Sequence, residues 1–199
     1  MRKIALYGGT FSPPHIGHVE AARAFYETVK PDELLIIPTA TPPHKSYQAE
    51  VSTDDRMEMC RLAFSSVDGA IVSDMEIKRG GKSYTYLTLE QLSAPDTELY
   101  FLCGTDMLLT LDEWRCFEKI FALATIVFVR RESDENITAS LAEKVNEYRA
   151  LYGAKIIEIK NEVFEISSSD LRIAIKEGRA VTMLPESVLE YIETRGLYR

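Results

Sequence analysis

The chain has no surplus of positive charge, little cysteine and no long apolar run, and each shortage closes off a class of function. Its 23 lysines and arginines are outnumbered by 31 aspartates and glutamates, for a formal net charge of −8. Broad binding to nucleic acid, whose phosphates demand a basic face, is therefore not expected. A small anionic ligand is compatible with an acidic shell, because it needs only a local gathering of donors. The three cysteines, Cys60, Cys103 and Cys116, lie far apart with no Cys-x-x-Cys pair. Neither a disulfide scaffold nor a zinc cluster is expected, no metal ligands are assigned, and a reducing cytoplasm fits best. Met1-Arg2-Lys3 is basic, as at the start of a signal peptide, but only a few apolar residues follow before Gly8-Gly9. No secretory segment and no membrane-spanning run is read, so a cytoplasmic protein with no membrane partner is expected.

What is present is ordinary in bulk. At 199 residues, 46% hydrophobic and 27% charged, the chain suits one domain over residues 1–199 with a core of its own. Strand-like and helix-like stretches alternate along it. Ile4 to Tyr7, ELLIIP, AIVSDMEI, ELYFLCG, TIVFV and KIIEI read as strands. Val19, Ala22, Phe25, Tyr26 and Val29 recur at helical spacing before Lys30-Pro31, and Ser52 with Asp55 caps the helical RMEMCRLAF. YTYLTLEQL, the stretch from Asp106 to about Ala124, and ITASLAEKVNEYRALYG read as further helices. Two more, Ser168 to Lys176 and Pro185 to Thr194, lie in a closing segment (about 168–199) expected to pack as part of the same domain. This order predicts an α/β fold: a doubly wound, mostly parallel, Rossmann-like sheet with helices on both faces. In such a sheet the ligand crevice lies beyond the carboxyl ends of the strands.

Two motifs stand after strands. Gly8-Gly9-Thr10-Phe11 follows the first, and the glycines allow close backbone approach while successive amides can form an anion-binding concavity. His15 and His18, three apart around Gly17, share one face of a first helical turn, where free N–H groups and the positive dipole end also point. Donors so arranged suit a phosphate chain. The plainer readings are a structural strand-to-helix turn, a capping histidine, or two ligands of a metal site that has no third member nearby. FEISSSDLRIAI follows the last strand: Ser167, Ser168 or Ser169 caps the new helix and Arg172 lies one turn in, able to fork onto phosphate oxygens. Alone, it reads first as an ordinary serine cap with a solvent-facing arginine, and the phosphate reading comes from its pairing with the first motif.

Together these segments resemble the nucleotidyltransferase superfamily, with its HxGH and ISSxxxR-type motifs. Within it the chain is similar across nearly its whole length to the bacterial nicotinate-nucleotide adenylyltransferases. PPHK (Pro42 to Lys45), SYT (Ser83 to Thr85), GTDMLLTLDEW (Gly104 to Trp114) and LPESVLEYIETRGLY match as well. Ser12 stands where the family often has Asp or Asn, and Leu87 where it often has Asp.

The resemblance implies adenylyl transfer from ATP to nicotinate mononucleotide, releasing pyrophosphate, with Mg²⁺ carried on the ATP. His15, His18 and Arg172 are then the catalytic candidates. Gly8, Gly9, Thr10, Phe11, Gly104, Asp106, Ile166, Ser167 and Ser168 join them in binding ATP. Thr10, Lys45, Tyr84, Thr85 and Trp114 would bind the acceptor. Asp106 reads otherwise as a helix N-cap, Trp114 as a core or interface residue, and Lys45 as solvated. The partners expected are ATP and a pyridine mononucleotide, with a homo-oligomer left open. Nicotinamide mononucleotide and phosphopantetheine are the alternative acceptors, and a nucleotide-sensing domain without turnover is the non-enzyme alternative.

Overall fold

Apolar runs that a parallel sheet buries on both faces supply the strands. The computed structural model describes residues 1–41, 51–130, 135–159, 166–179 and 181–199. Among them the strands are β1 (Arg2–Gly9), β2 (Glu33–Pro38), β3 (Ala70–Val72), β4 (Thr97–Gly104), β5 (Ala124–Val129) and β6 (Ile156–Ile159). They form one sheet in the order β3-β2-β1-β4-β5-β6, and every pairing is parallel. The chain runs outward from β1 to one edge, then returns to β4 and proceeds to the other. The order therefore reverses between β1 and β4, and a crevice opens where their connections diverge.

Side chains alternate across each strand, so one sheet serves two cores. Ala5 and Tyr7 of β1, Leu34 and Ile36 of β2, and Val127 and Val129 of β5 face one layer. That layer is closed by α1 (Ile16–Val29), α2 (Thr53–Phe64), α8 (Ser168–Lys176) and α9 (Glu186–Arg195). Ile4, Leu6, Leu35, Ile37, Ile126 and Phe128 face the other. There α4 (Thr85–Leu92), α5 (Thr105–Leu109), α6 (Phe117–Leu123) and α7 (Glu135–Tyr152) cover them. The doubly wound arrangement is thus the one the alternation predicts.

Two expectations need correction. AIVSDMEI is strand only over Ala70–Val72; its second half enters α3 (Met75–Arg79). An Asp74–Lys78 pair at 3.0 Å spans that turn, and Gly80, at φ +71°, ends it. The single helix expected from Asp106 to Ala124 is instead α5, a 3-10 turn at Leu111–Glu113, and α6. The break before α6 is at Cys116, whose φ of +54° no helix accommodates. Ser52 caps α2 as expected, its hydroxyl accepting from the Asp55 N–H at 3.1 Å. Among the described residues no helix is long and apolar enough to cross a membrane.

Candidate active site

Beyond the ends of β1 and β4 lies a cavity of about 670 Å³, within the size range of small-molecule sites. Its floor is Gly8 to Phe11. A Cβ added to Gly8 would meet nothing within 4 Å, so the space there belongs to the cavity, whereas one on Gly9 would strike the Phe11 ring at 2.9 Å. Phe11 takes a φ of +48° and turns its ring into the core against Tyr7 and Phe64, at 5.4 and 5.5 Å between centroids. That inward turn leaves the backbone of the loop to the ligand side.

The two histidines divide the work. His15 is the N-cap of α1, only 5% exposed, and is not part of the cavity wall. His18 is part of it, its ring 3.7 Å from that of His15 and 5.2 Å from that of Phe11. The His15 backbone N–H donates to His18 Nδ1 at 3.2 Å. Nδ1 is thus an acceptor, so the neutral ring carries its proton on Nε2, as a donor.

The two ends of the chain meet at this loop. Arg172 donates through Nη1 to the Ser12 carbonyl at 2.8 Å and through Nη2 to Ser169 Oγ at 3.1 Å. Ser168 Oγ donates to the Pro13 carbonyl at 2.9 Å. Ser12 Oγ and the Tyr198 hydroxyl bond at 2.9 Å, so Ser12 is braced by the closing segment. Ser167, rather than its neighbours, is the N-cap of α8, accepting from the Asp170 N–H at 3.1 Å. Ile166 packs against the core beneath. None of Ile166, Ser167, Ser168 or Arg172 lines the cavity itself; they stand behind the loop that does.

The opposite wall holds Tyr84, Thr85, Asp106 and Trp114. Gly104 is the N-cap of α5 and lies beneath that wall, and Asp106 falls in the first turn of the helix. Trp114 meets Phe101 edge-on at 6.2 Å. Its loop is tied from below: Asp112 Oδ1 accepts from the Tyr148 hydroxyl at 2.8 Å, and Oδ2 from Lys144 Nζ at 2.7 Å. Desolvation pushes the Asp112 carboxyl up, yet the bonds from Lys144 and Tyr148 outweigh it and hold the carboxyl below its ordinary value. Burial, reinforced by Asp112, pushes the Tyr148 phenol up. Arg115, at the cavity edge, sits 5.1 Å above the Tyr84 ring. Lys45 lies outside the described residues. Among the described residues no group of three or more His, Cys, Asp or Glu side chains gathers to hold a metal ion.

Sequence reasoning gave no role to Ser83 within its SYT segment, and missed Thr39, Arg115 and above all Arg56. Arg56 is 1% exposed and donates to the carbonyls of Thr10 and Thr39 at 2.9 and 2.7 Å. A signal existed: Arg56 occupies an apolar-face position of its helix, in phase with Cys60 and Ala63.

Comparison with known proteins places this site in a family. The family model described as cytidylyltransferase-like matches residues 6–174. Many relatives carry the name "Probable nicotinate-nucleotide adenylyltransferase", two of them as follows. The protein from Desulfatibacillum aliphaticivorans is 36% identical over 98% of this chain and 99% of its own length. That from Bacillus cytotoxicus is 38% identical over 100% of this chain and 99% of its own. In fold, the chain is similar to the Plasmodium falciparum nicotinic acid mononucleotide adenylyltransferase complexed with NaAD. The TM-score is 0.77 at 19% identity, covering 100% of this chain and 98% of that one. With the motifs, the switch-point cavity and full-length kinship in agreement, the chain belongs to the cytidylyltransferase-like family and, within it, to the nicotinate-nucleotide adenylyltransferases.

Proposed function

We propose that the protein transfers the adenylyl group of ATP to nicotinate mononucleotide, forming nicotinate adenine dinucleotide and pyrophosphate, with the whole chain acting as one domain. The observation that carries this reading is the single cavity that runs from Gly8 and His18 on one wall to Tyr84 and Trp114 on the other. Such a space can hold two nucleotides with their phosphates facing.

The acceptor phosphate is already an anion at neutral pH, so the reaction needs no general base. One of its oxygens attacks the α-phosphorus of ATP. The new O–P bond forms as the bond to the bridging oxygen of the β-phosphate breaks, and that oxygen leaves with the electron pair as part of pyrophosphate. What the protein supplies is alignment of two mutually repelling polyanions and donors for the charge that develops. The His18 Nε2–H serves the α-phosphate, and His15 acts through it by fixing the ring. The loop amides of Gly8 to Phe11 lie along the phosphate chain. Arg172 and Ser168, at the back of the loop, serve the outer phosphates together with Ser167, and Ile166 seats them. Asp106, after β4, accepts from ribose hydroxyls with Gly104 allowing the approach. Mg²⁺ carried on the ATP, where phosphate oxygens and water suit it better than a protein cage, would supply charge neutralisation at the pyrophosphate.

Trp114 stacks on the pyridine ring, Thr85 with Tyr84 meets its substituent, and Lys45 with Thr10 meets the acceptor phosphate. Arg115 favours the acid over the amide, because it places a cation at the cavity edge beside Trp114 and over Tyr84. The test is pyrophosphate release from Mg-ATP with nicotinate mononucleotide, nicotinamide mononucleotide or phosphopantetheine. Fastest release with the acid supports the reading. Release with phosphopantetheine alone, or binding of ATP with no release at all, overturns it.

A further inference from the structure

Arg56 heads the large side chains sealed in the core, on the face of α2 that also buries Met59, Cys60 and Ala63. Among the described residues no carboxylate pairs with it. Its neighbour Asp55 is held elsewhere, by Ser52, Tyr191 and Arg195. Cys60, one turn along, offers no thiolate, because burial pushes that thiol far up against the weaker opposing pull of Arg56. Arg56 Nε meets no acceptor. Burying a cation opposite neutral groups alone is costly, and a chain of net charge −8 has carboxylates enough to avoid it.

Both carbonyls that Arg56 holds belong to loops of the cavity wall, at Thr10 and Thr39. In a planar trans peptide the C=O and N–H point opposite ways. Drawing the Thr10 carbonyl onto Arg56 therefore turns the Phe11 N–H away from it, on the side of the phosphate loop. Drawing the Thr39 carbonyl down likewise aims the Ala40 N–H at Ser83 Oγ, which accepts it at 2.8 Å. Ser83 opens the Ser-Tyr-Thr segment on the opposite wall.

We infer that Arg56 is a positioning residue of the transfer site. Its planar fork sets one peptide on the phosphate side and one on the acceptor side, and its charge, unmatched among the described residues, is matched by the incoming polyphosphate. This rests on the adenylyl-transfer reading. A lysine keeps the charge but lacks the fork; a glutamine keeps some hydrogen bonding but lacks the charge.

The experiment measures binding of sodium tripolyphosphate by calorimetry, and turnover, for wild type, R56K and R56Q, each checked for folding by near-UV circular dichroism. R56Q is expected to bind tripolyphosphate about tenfold more weakly or worse, as befits loss of a buried charge. R56K is expected to bind within about threefold of wild type yet turn over at least about tenfold more slowly, as misplacement of reacting groups produces. Wild-type affinity in folded R56Q, equal weakening in both variants, or wild-type turnover in R56K overturns the inference. Wild type that binds no tripolyphosphate would sink the phosphate-site reading itself. If R56Q does not fold, the split between binding and turnover in R56K decides the matter alone.

Discussion

Replacing His18 separates its two duties, one structural and one chemical. The ring holds the α1 cap through the 3.2 Å bond from the His15 N–H and packs against the His15 and Phe11 rings. Truncation to alanine removes a capping acceptor, typically about 1 kcal/mol, together with part of that packing. A total near 2 kcal/mol is small beside the roughly 5–15 kcal/mol of a stable domain, so H18A should fold. For a chain of this size that loss lowers Tm by roughly 4–8 °C. The chemical loss is larger: one preorganised donor to a transition-state oxyanion contributes about 2.7–4 kcal/mol, or roughly 10²–10³ in kcat. H18N sharpens the division, because a carboxamide oxygen can accept the His15 N–H while nothing replaces Nε2. H18N should therefore recover most of the lost Tm and almost none of the lost kcat. Steady-state kinetics with thermal melts on the two variants reads both effects. Wild-type kcat in folded H18N would refute the donor role, and recovery of kcat in step with Tm would reduce His18 to a cap.

Outcomes for five other variants follow from the geometry. G8A should melt within about 0.5 kcal/mol of wild type but bind ATP more weakly, because its methyl fills cavity space; G9A should lose about 1–3 kcal/mol of stability by pressing on Phe11. Y148F should raise the KM for the acceptor with little change in that for ATP, at a cost of about 1–2 kcal/mol in urea unfolding, since it loosens Asp112 beneath Trp114. Asp55 is held below its ordinary value first by Ser52, then against desolvation by Tyr191 and Arg195. Its stabilising contribution is therefore complete above the unfolded pKa of about 3.9 and lost as pH falls through the lower folded value; D55N should be less stable than wild type at pH 7, with the gap closing in acid melts. R115A should narrow the preference for nicotinate over nicotinamide mononucleotide, read as a ratio of kcat/KM values, and this should weaken in high salt because the guanidinium is exposed.

Local pattern carried much of the architecture. Doubly buried strands such as ELLIIP and the Ser52 cap are written in neighbouring residues and appear where the spacing puts them, whereas Gly8 and Gly9, expected to stop the first strand, instead form the end of β1 itself. Short elements did not declare themselves. α3 has five residues, too few for a helical period, and the break before α6 depends on the left-handed conformation of Cys116, a residue type with no preference for it. Within the site, HIGH pointed to donors at the start of α1, but not to a ring in the wall and a ring behind it. That split depends on how α1 docks against Phe11. The least legible contacts are the most distant: Arg172 reaches Ser12 across 160 positions and Arg56 reaches Thr10 across 46. Such bonds follow from the finished packing, and only a cation in phase with an apolar helix face hinted at the second.

Direct transfer between two nucleotides lying in one cavity is the centre of this account, and the stereochemistry at the α-phosphorus measures it. With the Sp diastereomer of adenosine 5′-(1-thiotriphosphate) and nicotinate mononucleotide, a single in-line displacement predicts a dinucleotide with inverted configuration. Retention would mean two successive displacements through an adenylylated side chain, and would contradict the claim that this protein acts by alignment alone.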